Sequence, residues 1–155
     1  MPEQQHLKDN IIIRKVLEKD LDAIMELEVV AFTMPWSRKS YEDMMKVSNV
    51  NFETAVCGDK VLSYMLYQYW SEGAELHTLA VNPNWRRKGV ARKMLTHLFD
   101  WAREHGVEKI FLQVRPSNSK ALDLYKSFGF VAIGTRKKYY TDNNEDAYIM
   151  VAKVK

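Results

Sequence analysis

The stretch at residues 80–91, Ala-Val-Asn-Pro-Asn-Trp-Arg-Arg-Lys-Gly-Val-Ala, joins an apolar strand pattern to a helix pattern through a basic turn. The first N–H groups of a helix have no partner within the helix and lie at the positive end of its dipole, so such a turn can bind phosphate. Gly89 lets the backbone come close to that anion. Five cations fall within eight residues here: Arg86, Arg87, Lys88, Arg92 and Lys93. This excess of positive charge indicates an anion site, and a solvated basic loop is the alternative.

Composition sets the protein class. The chain has 155 residues, 46% hydrophobic and 28% charged, as in an ordinary globular domain, and its net charge of +3 is too small for a general nucleic-acid binder. The single Cys57 cannot form an internal disulfide, so the chain fits a reducing compartment. Residues 1–10 are polar and no apolar run approaches membrane-spanning length. We expect a cytoplasmic protein without DNA or membrane partners, with a flexible tail at 1–10 and one domain at 11–155.

The hydrophobic pattern predicts a strand, two helices, three strands, a helix, a strand, a helix and two strands. The predicted caps are Asp20, Ser37 and Asn118 at helix N-termini and Gly106 after a helix C-terminus. The predicted strands are 11–16, 52–57, 61–70, 74–81, 109–114, 130–140 and 147–154. The first predicted helix begins at 21 and ends near 33–35, before the proline, and the others are 38–47, 90–104 and 118–128.

Several motifs carry a family resemblance. Arg86-x-x-Gly89-x-Ala91 after an apolar strand resembles the signature of the GNAT acyl-CoA N-acyltransferases. Four further stretches resemble the branch that acetylates protein N-termini, the ribosomal-protein alanine and archaeal N-terminal acetyltransferases: Ala-Phe-Thr-Met-Pro-Trp-Ser at 31–37, Val-Arg-Pro-Ser-Asn at 114–118, Leu-Tyr-Lys-Ser-Phe-Gly-Phe at 124–130, and Tyr-Tyr at 139–140 with Glu-Asp-Ala at 145–147. The resemblance spans 11–154. It implies the α/β GNAT fold, a mixed seven-stranded sheet split between strands 4 and 5 and flanked by about four helices.

The resemblance implies acetyl-CoA as cofactor and no metal. The residues that it assigns to the coenzyme A pyrophosphate are Arg86, Arg87, Lys88, Gly89, Val90, Ala91 and Arg92. The backbone of Leu79, Ala80 and Val81 is expected to pair with the pantetheine amides and to contribute to an oxyanion site. By the same resemblance, Asn118 bonds the pantetheine arm and Tyr125 is the general acid for the leaving sulfur. From the residues alone, a helix cap and a packed aromatic ring are the alternatives.

The general base is where the chain departs from that branch, which usually has Glu at the position of Gln113. An amide cannot take up a proton usefully, although Gln113 can hold a water. Glu75 and His77 share one strand face by the period-two rule, and Glu75 matches the base of histone-acetylating members of the superfamily. We expect Glu75 to act through water, with His77 in reserve. A solvated carboxylate and a packed histidine are the alternatives.

The acceptor side is expected in the loop after the first helix and in the last hairpin. The residues concerned are Glu28, Phe32, Met34, Pro35, Trp36, Tyr139 and Tyr140. Glu28 can attract an ammonium group, the next four offer an apolar wall for a first side chain, and the tyrosines can stack on or bond a peptide backbone. A hydrophobic lid over the core is the alternative.

The resulting hypothesis is an acetyl-CoA-dependent protein N-terminal α-amino acetyltransferase, acting on protein or peptide acceptors that include ribosomal proteins, by direct attack in a ternary complex. Two alternatives remain: a GNAT enzyme acting on lysine side chains or small amines, and a non-catalytic acyl-CoA-binding module. We expect a monomer or weak homodimer. The four histidines and Cys57 form no zinc pattern.

Overall fold

The fold is an α/β arrangement of seven strands and four helices, seen in a computed structural model that describes residues 10–155. The strands are β1 (Ile12–Lys15), β2 (Val50–Cys57), β3 (Lys60–Tyr69), β4 (Gly73–Val81), β5 (Lys109–Val114), β6 (Val131–Tyr140) and β7 (Glu145–Lys153). The helices are α1 (Leu21–Ala31), α2 (Arg38–Met44), α3 (Val90–Glu104) and α4 (Ser119–Ser127), and short 3-10 turns lie at Glu18–Asp20 and Pro83–Trp85. The predicted order of elements is confirmed. The predicted tail at 1–10 falls, for residues 1–9, outside the described residues.

The strands form one mixed sheet in the order β1-β2-β3-β4-β5-β7-β6. β1 is antiparallel to β2, and β7 is antiparallel to both β5 and β6. β4 and β5 are parallel, which requires a crossover, and α3 lies in that connection. Their pairing joins Gly73–Leu76 to Lys109–Leu112, whereas β4 itself continues to Val81. The end of this ladder is the feature predicted for a sheet divided between its fourth and fifth strands.

Three of the four predicted caps are confirmed. The Ser37 side chain accepts the Ser40 N–H at the start of α2, and the Asn118 side chain accepts the Ala121 N–H at the start of α4. Gly106 follows α3 with a φ of 69°, the left-handed conformation that glycine adopts without strain. Helix α2 ends at Met44, before the predicted 47, because β-branched Val47 and two turn-favouring residues follow it.

The predicted role of Asp20 as the cap of α1 is wrong. Asp20 already has helical φ and ψ because the 3-10 turn runs directly into α1, and its side chain makes no cap bond to that helix. Its buried carboxylate instead accepts the Leu17 N–H at 2.7 Å and pairs with Arg14 at 2.7 and 2.9 Å. The Arg14 hydrogen bond is the main reason that the pKa of Asp20 lies below its usual value.

Two sets of residues pack as compact units. One comprises the described residues up to Leu66 together with Thr78–Met94, and its core includes Leu21, Ile24, Tyr41, Phe52, Tyr64 and Leu66. The other comprises Tyr67–His77 with Leu95–Lys155, and its buried side chains include Leu98, Ile110, Leu112, Phe130 and Met150. β3, β4 and α3 contribute residues to both. Each unit is described by itself below.

Candidate active site

The basic turn before α3 has the conformation of an anion cradle. It begins at the 3-10 turn Pro83–Trp85, which the Asn82 side chain caps by accepting the Asn84 N–H at 3.0 Å. Two positions then adopt left-handed backbone, Arg87 with a φ of 63° and Gly89 with a φ of 81°. A Cβ at Gly89 would meet no atom within 4 Å, so glycine is needed here for its left-handed backbone and not because space is short.

The charges of this turn fit a pyrophosphate. The first turn of α3 contains no acidic residue, and the cations Arg86, Arg87, Arg92 and Lys93 are exposed. Lys88 places its Nζ 5.1 Å from the centroid of the Trp85 ring. The N–H groups of the first helical turn and this ring of cations together supply the donors that a phosphate group requires. Val90 is buried and Ala91 is partly buried, so their side chains anchor the helix while their backbone starts it.

The backbone of β4 beyond Leu76 is available to a pantetheine arm. Leu79 and Val81 are partly buried and Ala80 is buried, as core-lining strand residues. The Ala80 carbonyl accepts the Ser63 hydroxyl at 2.6 Å, which ties this part of β4 to β3. Because the ladder with β5 stops at Leu76, the backbone of these three residues is not used by that pairing.

Three predicted residues, Glu75, His77 and Gln113, lie on neighbouring strands of the second unit. His77 Nδ1 is 3.3 Å from Glu75 Oε2, and His77 Nε2 is 3.2 Å from Gln68 Oε1 on β3, so the predicted shared face of Glu75 and His77 is confirmed. Glu75 pairs with Phe111 across the parallel ladder, and Gln113 is two residues along β5. Side chains alternate along strands, so Gln113 projects from the same face.

Gln113 has the most informative side chain of the site. Its Oε1 is buried and has no hydrogen-bond partner within the described residues. A buried acceptor without a donor costs about 1–3 kcal/mol, which makes this atom a place for an N–H group or a water. Glu75, by contrast, keeps 34% of its side-chain surface exposed, so water reaches its carboxylate.

Tyr125 and Asn118 both lie at α4. The Tyr125 ring packs edge-on against Phe130 at 5.7 Å, and its side chain is partly buried. Burial, with a smaller effect of Tyr140, raises the pKa of Tyr125 to about 12, so its phenol stays protonated at neutral pH and can donate. Asn118 Oδ1 accepts the Ala121 N–H at 3.3 Å, which confirms the cap and leaves its amide N–H groups for a ligand.

The acceptor-side residues form two groups. In the first unit, Glu28 is 2% exposed and accepts the Trp36 N–H at 2.9 Å, which fixes the loop that carries Phe32, Met34 and Pro35. Phe32 and Trp36 pack against the core, while Met34 is 44% exposed. In the second unit, the rings of Tyr139 and Tyr140 stand perpendicular at 5.1 Å, and the Arg115 guanidinium lies 3.8 Å from the Tyr140 centroid.

Residues 21–130 match the model of the Acetyltransferase (GNAT) family. The chain belongs to the GNAT family of acetyltransferases. This assignment confirms the predicted family, its fold and acetyl-CoA as the acyl donor.

Two relatives of this GNAT acetyltransferase resemble it over nearly all of their length. The [ribosomal protein bS18]-alanine N-acetyltransferase of Escherichia coli K12 is 36% identical over 137 residues, 87% of this chain and 92% of the relative. The putative enzyme of that name from Bacillus subtilis is 29% identical over 145 residues, 93% of this chain and 96% of the relative.

Solved structures agree. The crystal structure of the ribosomal-protein-S18-alanine N-acetyltransferase from Escherichia coli has a TM-score of 0.86 and 32% identity, covering 93% of this chain and 94% of that one. Ard1 from Thermoplasma volcanium has a TM-score of 0.87 at 23% identity, covering 94% and 99%, and shares the fold.

Three structurally important residues of this GNAT acetyltransferase had no role in the sequence interpretation: Tyr41, Tyr64 and Arg115. The two tyrosine hydroxyls donate to Glu28 Oε1 at 2.6 Å each, across 13 and 36 residues, a separation that no local pattern indicates. Arg115 belongs to the Val-Arg-Pro-Ser-Asn motif at 114–118, but the motif gives no indication of which residues it contacts. Within residues 10–155, no cluster of three or more His, Cys, Asp or Glu could hold a metal, and no helix is long and apolar enough to cross a membrane.

Proposed function

We propose that this GNAT enzyme acetylates the N-terminal α-amino group of proteins, with ribosomal proteins as the first acceptors to test. Support comes from the Escherichia coli relative at 36% identity, which is a [ribosomal protein bS18]-alanine N-acetyltransferase. Transfer is direct, from acetyl-CoA to the amine in a ternary complex. Cys57 lies at the end of β2 and takes no part.

The observation that carries the proposal is the buried Oε1 of Gln113, which has no partner within the described residues, on the strand next to the one that carries the Glu75–His77 pair. The amide oxygen holds an N–H group of the amine, or the water next to it, but it takes up no proton. The proton passes through water to Glu75, the carboxylate on the same strand face that solvent reaches. The site therefore offers only a weak general base.

A weak general base is sufficient for an α-amine but not for a lysine side chain. An α-amine with a pKa near ~7.8 is about a tenth neutral at pH 7, whereas a lysine with a pKa near ~10.4 is neutral in less than about one part in a thousand. The difference of about 2.6 pKa units equals about 3.5 kcal/mol of deprotonation that a lysine acetyltransferase must supply. Because β5 carries Gln113 in place of a carboxylate, the enzyme acts best on an amine that is already partly neutral.

Each remaining group has one task. Bound acetyl-CoA supplies the activated acyl carbon. The turn at Arg86–Arg92 binds its pyrophosphate, and the β4 backbone at Leu79–Val81 binds the pantetheine amides and donates to the carbonyl oxygen as negative charge develops there. The amine nitrogen bonds to the acyl carbon and the C–S bond breaks. Tyr125 donates its phenol hydrogen bond to the departing sulfur, and Asn118 holds the arm beside it.

The acceptor peptide is held by two groups of residues. Phe32, Met34, Pro35 and Trp36 form the wall for the first side chain, and Tyr139 and Tyr140 bond the peptide backbone. The carboxylate of Glu28 holds the Trp36 backbone, and its attraction for the substrate ammonium stays a prediction. A cytoplasmic location, a single domain at 11–155 and a monomeric or weakly dimeric state complete the proposal.

Thiol release from acetyl-CoA with short peptides tests this function. Peptides with free Ala, Ser, Thr, Met-Leu and Met-Glu N-termini are compared with α-blocked peptides that contain an internal Lys. We expect turnover with free α-amines only, strongly reduced by Glu75→Gln and by Tyr125→Phe. Turnover with the blocked Lys peptides would move the enzyme to the side-chain class, and turnover with small amines alone would contradict a protein acceptor.

A further inference from the structure

Arg115 connects the acceptor-side hairpin to the start of the helix that carries Tyr125. It is the first residue after β5, and only 20% of its side-chain surface is exposed. Its Nη2 donates to both oxygens of Asp142, at 3.0 and 2.9 Å, in the turn between β6 and β7. Its Nη1 donates to Glu145 Oε1 at 3.2 Å and to Asn143 Oδ1 at 3.1 Å. One guanidinium therefore binds three residues of a single hairpin.

Glu145 continues the connection to α4. It accepts the Ser117 backbone N–H at 2.8 Å and the Ser117 hydroxyl at 3.0 Å. Ser117 directly precedes Asn118, the N-cap of α4. The Ser117 hydrogen bonds, followed by Arg115, hold the pKa of Glu145 below its usual value, so this carboxylate is ionised at neutral pH and remains an acceptor.

The flat face of the guanidinium is also used. It lies 3.8 Å from the centroid of the Tyr140 ring, one of the two proposed acceptor tyrosines. Tyr140 is also close enough to Tyr125 to contribute to its raised pKa. A planar cation stacks on the aromatic ring while its two terminal nitrogens donate to different carboxylates, Asp142 and Glu145, which is a task that lysine does not perform equally.

We propose that Arg115 is a positioning residue that holds Tyr140 and the β6–β7 turn against the Ser117–Asn118 start of α4, so that the acceptor tyrosines and Tyr125 form one preorganised group. This inference rests on the proposed function for its kinetic consequence. Its structural part does not, because all of these contacts exist without substrate.

Exchange of backbone amides with deuterium in the free protein tests the structural part. In Arg115→Lys, Asp142→Asn and Glu145→Gln, we expect the Ser117 amide and the turn at 141–144 to exchange at least about tenfold faster, because the charge-assisted bonds that hold them are lost or weakened. The matched control is Arg103→Lys, an exposed arginine that also pairs with a carboxylate, Asp100, within this unit. Unchanged exchange at Ser117 and the turn in all three variants would overturn the proposal.

Steady-state kinetics tests the consequence. We expect Arg115→Lys to raise the KM for the acceptor peptide about tenfold and the KM for acetyl-CoA by a clearly smaller factor, since the pyrophosphate turn at 86–92 is untouched and only Asn118 among the acetyl-CoA residues adjoins Ser117. Arg115→Lys and Asp142→Asn should be non-additive in this acceptor KM. A parallel rise of both KM values, or additive effects, would indicate general loosening and contradict the positioning role. If the wild-type enzyme acetylates no α-amine peptide, the proposed function fails. The exchange experiment still tests whether Arg115 holds the hairpin against the start of α4.

Discussion

At the scale of single residues, Gln113 has the clearest consequence. Its buried Oε1 lacks a partner within the described residues, a cost that the free protein bears for a ligand or water. Replacing a buried unsatisfied polar group by an apolar one of similar size is nearly neutral or stabilising.

Gln113→Leu should therefore leave the melting temperature unchanged or higher while it lowers kcat/KM for a free α-amine peptide about tenfold, the value of one hydrogen bond. Thermal denaturation and initial rates on the same preparation measure both quantities. A stable variant with full activity would remove Gln113 from the site.

Tyr125 gives a prediction about pH. Burial raises its pKa to about 12, so its phenol remains protonated and able to donate from pH 6 to pH 10. The rate should rise with pH as the substrate α-amine with a pKa near ~7.8 becomes neutral, and should then level off without falling below pH 10. A profile of kcat/KM from pH 6 to 10 measures this. A falling limb below pH 10 that disappears in Tyr125→Phe would contradict the raised pKa.

Removal of the phenol gives a companion test. Tyr125→Phe should lower kcat about 100-fold, because a positioned general acid contributes roughly 10²–10⁴. The KM for acetyl-CoA should change little, since the ring remains. A rise in the acetyl-CoA KM as large as the fall in kcat would place Tyr125 in binding instead of in the chemical step.

At the scale of elements, the α1–α2 loop is held by a buried carboxylate. Glu28 accepts hydroxyl bonds from Tyr41 and Tyr64 and the backbone N–H of Trp36, and burial, followed by the Glu28 hydrogen bond, raises the pKa of both phenols. Glu28→Gln keeps one oxygen, which can accept the two hydroxyls, but it turns its amide N–H groups towards the Trp36 N–H, which is also a donor. We expect a loss of about 2–3 kcal/mol in the free energy of unfolding, measured in urea, with a raised acceptor KM. Unchanged stability would contradict this network.

The turn before α3 is the second element that can be tested. Gly89→Ala meets no steric contact but must adopt a φ of 81°, which costs about 1 kcal/mol. We expect it to raise the KM for acetyl-CoA several-fold and to leave the acceptor KM unchanged. Gly58→Ala is the matched control, with a φ of 59°, equally open space and a position in the β2–β3 turn. An equal effect of both variants on the acetyl-CoA KM would contradict a specific role for the 86–92 turn.

At the scale of the whole molecule, local signals predicted most of the fold. The element order and most boundaries followed from strand alternation, helical periodicity and the caps at Ser37, Asn118 and Gly106. These signals depend only on neighbours in the chain. Asp20 failed as a cap because Arg14, six residues before it, and an unforeseen 3-10 turn decide its contacts. The Glu28–Tyr64 and Arg115–Glu145 bonds join residues 36 and 30 positions apart, which periodicity cannot indicate. Family motifs identified the candidate site residues but not what holds them in place.

One peptide that carries both competing amines tests the preference for an α-amine over a lysine. A peptide with a free N-terminal Ala and an internal Lys is incubated with the enzyme and acetyl-CoA at pH 7, and tandem mass spectrometry locates the acetyl group. We expect acetylation at the α-amine with the lysine left free, since deprotonation of the lysine costs about 3.5 kcal/mol more free energy and Gln113 supplies no base. Acetylation mainly at the lysine would contradict it.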